Sequence, residues 1–192
     1  MNIRQTIRLA ALAAALPLAL FGAMQNHPQV LFAGDYADPS ILRDGEDYYF
    51  TYSSLCYSPG LEIWHSKNLK DWEFVSYALK DYKFSVWAPE LVKHNGRYFI
   101  YYPASVGGVF AVWADKMEGP WSAPVDIGIP SYAIDPGHVV GEDGKRYIFT
   151  NGGMMYPLSD DGLKITVGQR GRRLCQQQCQ CQRQRQDANR WV

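Results

Sequence analysis

Aromatic residues recur at a constant spacing of 49 residues along most of this 192-residue chain. The series are Tyr49, Tyr98 and Tyr147; Trp64 and Trp113; and Trp72 and Trp121. Each interval holds several short segments rich in β-branched and aromatic residues, and none has a long run with helical periodicity. A period of about 50 residues with four strands is typical of a β-propeller blade. We therefore predict an all-β propeller with about three blades present, and we expect the repeated tryptophans in its core.

Turns and strands follow the same order within each period. A turn that contains Asp, Asn or Gly precedes an aromatic strand, and a strand of alternating apolar and polar residues follows. Strands are predicted over residues 48–52, 61–66, 98–102, 110–115 and 147–150. This regular succession places the propeller domain at residues 28–168.

A proline-containing segment begins each period. The three segments are Gly34-Asp35-Tyr36-Ala37-Asp38-Pro39-Ser40-Ile41, Trp87-Ala88-Pro89-Glu90-Leu91 and Ala133-Ile134-Asp135-Pro136-Gly137-His138. Since the inner strands of propeller blades converge on one axis, Asp38 and Asp135 are predicted to face one central pocket. Paired carboxylates about 6.5–9.5 Å apart suit an inverting glycoside hydrolase, where one activates water and the other protonates the leaving group. The alternative is that each Asp–Pro pair forms a turn whose Asp caps local backbone groups.

Three other residues of these segments are candidate substrate-binding residues. Trp87 and Tyr36 offer aromatic faces that suit the apolar faces of sugar rings, and both are equally suited to packing between blades. His138 follows Asp135 closely and is expected to face the same pocket. The alternative for His138 is a place in a turn at the rim.

The two ends of the chain differ in composition from the domain between them. Residues 1–23 carry Arg4 and Arg8 before an apolar run, which predicts a secretory signal and a secreted or periplasmic protein. Residues 169–192 form a low-complexity tail rich in Gln and Arg, interpreted as non-native sequence of the kind that a reading-frame shift produces. The three cysteines of this tail lack a fourth ligand, so no metal site is expected there.

The net charge of zero hides an acidic domain. Residues 170–192 hold six arginines, so the other residues carry 13 Lys and Arg against 18 Asp and Glu. An acidic protein is poorly suited to bind nucleic acid. We expect an oligosaccharide or polysaccharide as the partner and, after signal cleavage, no membrane contact. The sequence leaves the oligomeric state open.

The proline segments and Glu118-Gly119-Pro120-Trp121 together resemble glycoside hydrolase family 43 over about residues 28–168. The resemblance implies the N-terminal part of a five-bladed propeller and an inverting hydrolase of the β-xylosidase or α-L-arabinofuranosidase type. It implies that Asp38 is the general base, and that Asp135 adjusts and orients the general acid. It implies no required cofactor, although some family members hold a structural calcium ion.

The general acid that the resemblance implies, a glutamate in a later blade, has no candidate here. Glu142 is the last glutamate of the chain and lies in a predicted turn, whereas Glu90 and Glu118 belong to motifs of the second period. We therefore expect the chain to be incomplete and inactive by itself. The other interpretations are a non-catalytic carbohydrate-binding propeller and a structural or protein-binding propeller.

Overall fold

The computed structural model describes residues 32–82, 84–166 and the short strand at 172–173. The chain divides into two compact units, Met1–Gly34 and Asp35–Val192, and all the strands below belong to the second. The predicted signal at residues 1–23 and most of the predicted tail lie outside the described residues. Nowhere in the described part does a helix reach the length and apolar character that crossing a membrane requires.

Twelve strands form three four-stranded antiparallel sheets, each with its strands in sequence order. The first sheet contains β1 (Ser40–Asp44), β2 (Asp47–Thr51), β3 (Gly60–Ser66) and β4 (Glu73–Leu79). The second contains β5 (Glu90–His94), β6 (Arg97–Pro103), β7 (Val109–Ala114) and β8 (Val125–Asp126). The third contains β9 (Gly137–Val140), β10 (Arg146–Thr150), β11 (Met154–Pro157) and β12 (Arg172–Arg173).

The prediction of an all-β fold is confirmed. The described residues contain no α-helix, and their one helical turn is a short 3₁₀ segment, Asn151–Gly153. Four strands per period are present as expected, although β8 and β12 have only two residues each. β12 lies within the predicted tail, where its backbone pairs with Met154 and Met155 of β11.

The register of the strands corrects one detail of the repeat. Tyr98 lies opposite Lys93 at the place where Tyr48, not Tyr49, lies opposite Arg43. A shift of one residue turns a side chain to the other face of a sheet. Tyr98 accordingly faces the first sheet, where its hydroxyl donates to the Asp44 carboxylate. The 49-residue spacing of Tyr49 and Tyr98 therefore does not join equivalent positions.

Two apolar clusters join the sheets. The cluster between the first and second sheets includes the fully buried Leu61, Ile63, Ile100 and Val112. The cluster between the second and third sheets includes the fully buried Tyr101, Val109, Ala111 and Ile148. Burial of such side chains stabilises by about 1.5–3 kcal/mol each, so these clusters are the main source of cohesion between sheets.

The repeated tryptophans lie at or beside these clusters. Trp121 packs against the first cluster and donates a hydrogen bond to the carbonyl of Met117. Trp113 packs against the second, with the Arg97 guanidinium 4.0 Å from its ring centre. In the first sheet, the rings of Trp64 and Trp72 both contact Phe50. These positions agree with the expectation that the tryptophans pack rather than bind.

Candidate active site

The three proline segments share an uncommon backbone conformation. The residue before each proline has a positive φ, 52° at Asp38, 29° at Ala88 and 56° at Asp135. Non-glycine residues rarely adopt this region, and a following proline restricts them further towards extended conformations. Such strain persists where the surroundings enforce it, and it is concentrated at functional sites. The shared conformation supports the equivalence of the three segments.

Asp38 is exposed but is held by a buried neighbour. The Ser53 hydroxyl donates a hydrogen bond of 2.7 Å to Asp38 Oδ2, and Ser53 is only 2% exposed. The same hydroxyl accepts a 2.6 Å hydrogen bond from the amide of Ala88, in the second proline segment. Ser53 thus joins the candidate base to the segment that carries Trp87.

Asp135 is also exposed, and Ile134, the residue before it, is held by hydrogen bonds to Asn151. The Ile134 amide donates to the side-chain oxygen of Asn151 at 2.9 Å, and the Asn151 amide donates to the Ile134 carbonyl at 3.0 Å. The Asp135 carboxylate makes no hydrogen bond or ion pair within the described part of the chain. The Asp135 carboxylate is therefore available to bind a group that the described residues do not supply.

Glu90 links the inner strands of all three sheets. It begins β5, and its carboxylate accepts 3.3 Å hydrogen bonds from the Ser40 hydroxyl of β1 and the His138 amide of β9. Ser40 lies two residues after Asp38, and His138 lies three residues after Asp135. One carboxylate therefore brings the two Asp–Pro segments to the same end of the central strands. Burial raises the pKa of Glu90, and the two hydrogen bonds partly offset this effect.

The aromatic candidates differ in exposure. Trp87 is 36% exposed, and its amide donates to the Pro103 carbonyl, which fixes its backbone at the end of the second sheet. Tyr36 is half-buried, with its ring edge against Tyr52 at a centroid distance of 4.7 Å. The exposed face of Trp87 suits sugar stacking better than packing between sheets, whereas Tyr36 shows features of both.

His138 is held between the second and third sheets rather than in a turn at the rim. Its ring stacks on Tyr101 with an angle of 5° between planes, and the Arg146 Nε donates to its Nε2 at 3.0 Å. Burial, followed by the charges of Arg146 and His94, lowers the pKa of His138 to about 4. The ring is therefore neutral at physiological pH, with Nε2 as an acceptor.

Arg146 is a buried cation with neutral partners. Besides His138, its guanidinium donates to the Tyr101 hydroxyl at 2.7 Å and to the Asp160 carbonyl at 3.3 Å. The Phe99 ring lies beneath it, 4.5 Å from the guanidinium carbon. The Tyr101 hydroxyl donates a hydrogen bond to the Gly162 carbonyl at 3.0 Å. This network ties the turn after β11 to the second sheet.

Exposed apolar side chains surround the end of the sheets that carries Asp38 and Asp135. β1 begins opposite the last residue of β2, so the connections after β2, β4, β6 and β8 all lie at this end. These connections and the proline segments contain six of the large exposed apolar residues, namely Tyr57, Phe84, Trp87, Val106, Tyr132 and Ile134. Aromatic surface of this kind is typical of binding sites for ring-shaped, partly apolar ligands such as sugars.

No metal centre is evident in the described residues, because none of them forms a cluster of three or more His, Cys, Asp or Glu side chains. The calcium ion that the resemblance allows stays a prediction. Glu142 lies exposed in the turn between β9 and β10, at the opposite end of β9 from the third proline segment. It offers no general acid at the end of the sheets that carries Asp38 and Asp135.

Sequence reasoning gave no site role to four residues that shape this site. Ser40 and Glu90 lie inside the proline segments, and Ser53 and Asn151 lie outside them; all four hold these segments through hydrogen bonds. Only the repeat could have pointed to them, since Ser53 and Asn151 each follow the second strand of a sheet and each donate to the residue before an Asp–Pro pair.

Three antiparallel sheets joined through inner strands, with strained carboxylate-bearing segments at one end, define an all-β repeat protein with a polar centre. The sequence profile of glycosyl hydrolases family 43 matches residues 28–181. The chain belongs to this family. The match extends beyond residue 168, so the predicted start of the tail stays a prediction.

Individual relatives agree with the family assignment. The chain is 34% identical over 137 residues to a xylan 1,3-beta-xylosidase of Vibrio sp, and 38% identical over 133 residues to a xylosidase/arabinosidase of Butyrivibrio fibrisolvens. These matches cover 62% and 64% of this chain but only 25% of each relative. The chain therefore spans about a quarter of the length of the curated relatives it matches.

Solved structures give the same result for the fold. The crystal structure of the GH43 BlXynB protein from Bacillus licheniformis matches with a TM-score of 0.66 and 28% identity, over 77% of this chain and 33% of that chain. A GH43B protein of a Bacteroides ovatus xyloglucan locus matches with a TM-score of 0.65 and 28% identity, over 74% and 32% of the two chains.

Proposed function

We propose that this chain is the N-terminal part of a glycoside hydrolase that acts on xylan- or arabinan-derived saccharides by an inverting mechanism. Its three sheets are then three blades of a five-bladed propeller, and the end that carries Asp38 and Asp135 is the substrate-binding face. The observation that carries this proposal is the Glu90 link, because it joins the two strained Asp–Pro segments through one carboxylate. The family membership and the names of the relatives support the substrate class.

The proposed chemistry follows from the contacts of Asp38. Its Oδ2 accepts a hydrogen bond from the Ser53 hydroxyl, which leaves Oδ1 to take a proton from water as that water attacks the anomeric carbon. Asp135 adjusts the acid that protonates the leaving oxygen. That acid is a glutamate from a later blade, and this chain does not supply it. Trp87 stacks on a sugar ring through its exposed face.

The test is Asp38→Asn in a protein that carries the remaining blades. We expect hydrolysis of xylo- or arabino-oligosaccharides to fall by about 10²–10⁴-fold, since general-base catalysis contributes that much. Affinity for xylotetraose or arabinotetraose should change less than about twofold, because the amide keeps the shape of the side chain. Asp115→Asn is the matched control, since that carboxylate is exposed and pairs with Arg97 at the far side of β6 and β7. Unchanged hydrolysis in Asp38→Asn would remove the base assignment.

The second candidate function is a non-catalytic carbohydrate-binding propeller. The missing acid and the exposed aromatic side chains favour it. One measurement on a protein that carries all blades distinguishes the two functions. A hydrolase releases reducing ends from the tetrasaccharide that it binds, whereas a binding protein does not. Proton NMR of the first product would also show whether the anomeric configuration inverts. A protein-binding propeller would bind neither saccharide.

A further inference from the structure

We propose that Ser53 is a positioning residue that orients the Asp38 carboxylate and couples it to the Trp87-Ala88 segment of the second sheet. This inference rests on the proposed function and adds a residue to its site. Neither a motif nor the family resemblance pointed to Ser53.

The direction of each hydrogen bond follows from elementary chemistry. An amide N–H can only donate, so the Ser53 oxygen must accept from Ala88 at 2.6 Å. The hydroxyl has one proton, and an ionised carboxylate only accepts, so this proton lies on the 2.7 Å contact to Asp38 Oδ2. The Ser53 hydroxyl therefore accepts a hydrogen bond from the second sheet and donates one to the carboxylate.

Ser53 is itself held rigidly. It is 2% exposed, and its own amide donates to the Ala37 carbonyl at 2.9 Å, directly before Asp38. Its backbone and side chain thus hold both the main chain and the carboxylate of the same segment. Oδ1 of Asp38 has no partner within the described residues, so the contact from Ser53 selects which oxygen stays open to solvent.

In the third sheet, Asn151 occupies the position that matches Ser53, but its hydrogen bonds differ. Asn151 follows β10 as Ser53 follows β2, and it holds Ile134, the residue before Asp135, through two hydrogen bonds. Asn151 does not contact the Asp135 carboxylate. The repeat therefore fixes both main-chain segments but orients only one carboxylate, which agrees with a base at Asp38 and a different role at Asp135.

The neighbouring Ser54 supplies a matched control. It is 5% exposed, and its hydroxyl accepts a hydrogen bond from the Leu61 amide within the first sheet. Ser54 is thus as buried as Ser53 and also binds a backbone amide. Leu61 lies outside the proline segments, as does Tyr82, whose side chain also hydrogen-bonds with Ser54, so Ser54→Ala measures the cost of losing a buried structural serine.

The experiment compares Ser53→Ala, Ser53→Thr and Ser54→Ala in the protein that carries all blades, with xylotetraose and arabinotetraose as substrates. For Ser53→Ala we expect kcat to fall by about 10–100-fold with KM within about twofold, because the substrate still binds while the base is misoriented. Ser53→Thr keeps the hydroxyl and should recover most of the loss. Ser54→Ala should leave kcat within about threefold.

Amide hydrogen exchange on the same protein provides an independent measurement. Exchange at the Ala88 amide should speed up about tenfold in Ser53→Ala, since one hydrogen bond of about 1.4 kcal/mol is lost, and should not change in Ser54→Ala. If Ser53→Ala does not fold, Ser53→Thr and Ser53→Cys decide the question through the same kcat and KM comparison.

The outcomes separate the two proposals. An active protein in which Ser53→Ala and Ser54→Ala behave alike would overturn the role of Ser53 and leave the glycosidase proposal standing. A protein with all blades that hydrolyses neither substrate would overturn the proposed function, and the catalytic meaning of Ser53 with it, even where Ala88 exchange responds to Ser53→Ala.

Discussion

His138 illustrates how a single side chain can be placed by its neighbours rather than by its motif. Sequence reasoning placed it beside Asp135 because the two are three residues apart. In the structure its backbone amide does serve the candidate site, through Glu90, while its ring points between sheets and stacks on Tyr101. The residue is therefore connected to the site through the main chain and to the interface between sheets through the ring.

The lowered pKa of His138 predicts a stability change in mild acid. Unfolded histidine titrates near 6.5 and the folded residue near 4, so between these values the unfolded chain binds a proton that the folded chain does not. Stability should thus fall as pH drops from about 6.5 to 4, by roughly 1–2 kcal/mol after allowing for the partial exposure of the ring.

The measurement is the difference in unfolding free energy, at pH 7 and pH 4.5, between a protein that carries all blades and its His138→Gln variant. Glutamine can still accept from Arg146 but does not titrate, so other titrating groups such as Glu90 cancel in the comparison. An equal loss of stability on acidification in both proteins would show that His138 is not responsible.

At the scale of single elements, the turn after β11 packs tightly against the Arg146 guanidinium at Gly162. A Cβ on Gly162 would lie 2.3 Å from a guanidinium nitrogen, and Gly162 has a φ of +74°. Gly144 has nearly the same φ, +76°, but a Cβ there would meet nothing within 4 Å. These two glycines separate the cost of backbone strain from the cost of a steric clash.

We expect Gly144→Ala to destabilise by about 1–2 kcal/mol, the usual cost of a left-handed conformation with a Cβ. Gly162→Ala should cost about 1–3 kcal/mol more, because Arg146 must move and lose contacts to Tyr101 and Asp160. Chemical denaturation of the two variants, made in the protein that carries all blades, tests this. Equal losses would mean that the Arg146 side chain adapts freely.

The strands show what sequence patterns can and cannot predict. Aromatic and β-branched runs predicted β2, β3, β6, β7 and β10 to within about two residues, because these runs are the buried faces of the sheets. The last strand of the second sheet is only Val125–Asp126, and no pattern marks so short a segment. The sheet register of Tyr98 was also missed, because a 49-residue count cannot reveal a one-residue shift in pairing.

The candidate site was predicted less completely than the strands. Repetition and resemblance pointed to Asp38, Trp87 and Asp135, and the structure places all three in equivalent segments at one end of the sheets. The hydrogen bond from Ala88 to Ser53 and the two hydrogen bonds to Glu90 join residues that are 35 to 50 positions apart in sequence. Such contacts form only after the sheets pack, so no local sequence pattern could predict them.

At the scale of the whole second unit, the first and third sheets carry exposed apolar residues on their inner strands. Ile41 of β1 is 56% exposed, and Val139 and Val140 of β9 are 40% and 44% exposed. Inner strands of a closed propeller are covered on both sides by neighbouring blades. Exposed apolar strands are prone to pair with other molecules.

We therefore expect the 192-residue chain by itself to self-associate at micromolar concentration or to unfold without a sharp transition. Val139→Lys should reduce the association, since a charge on an exposed strand opposes pairing. Val106→Lys is the matched control, because Val106 is 52% exposed but lies in the β6–β7 connection. Sedimentation velocity measures both variants, and a monomeric, cooperatively melting chain would contradict the expectation.

The Glu90 link also has a consequence for synthesis on the ribosome. Glu90 is made well before the backbone amide of His138 that binds it, so the first two sheets can form while this carboxylate has the Ser40 hydroxyl as a partner but not yet the His138 amide. Translation of β9 supplies that partner and draws the second Asp–Pro segment towards the first. The order of synthesis thus leaves the candidate site incomplete until the third sheet begins to pair.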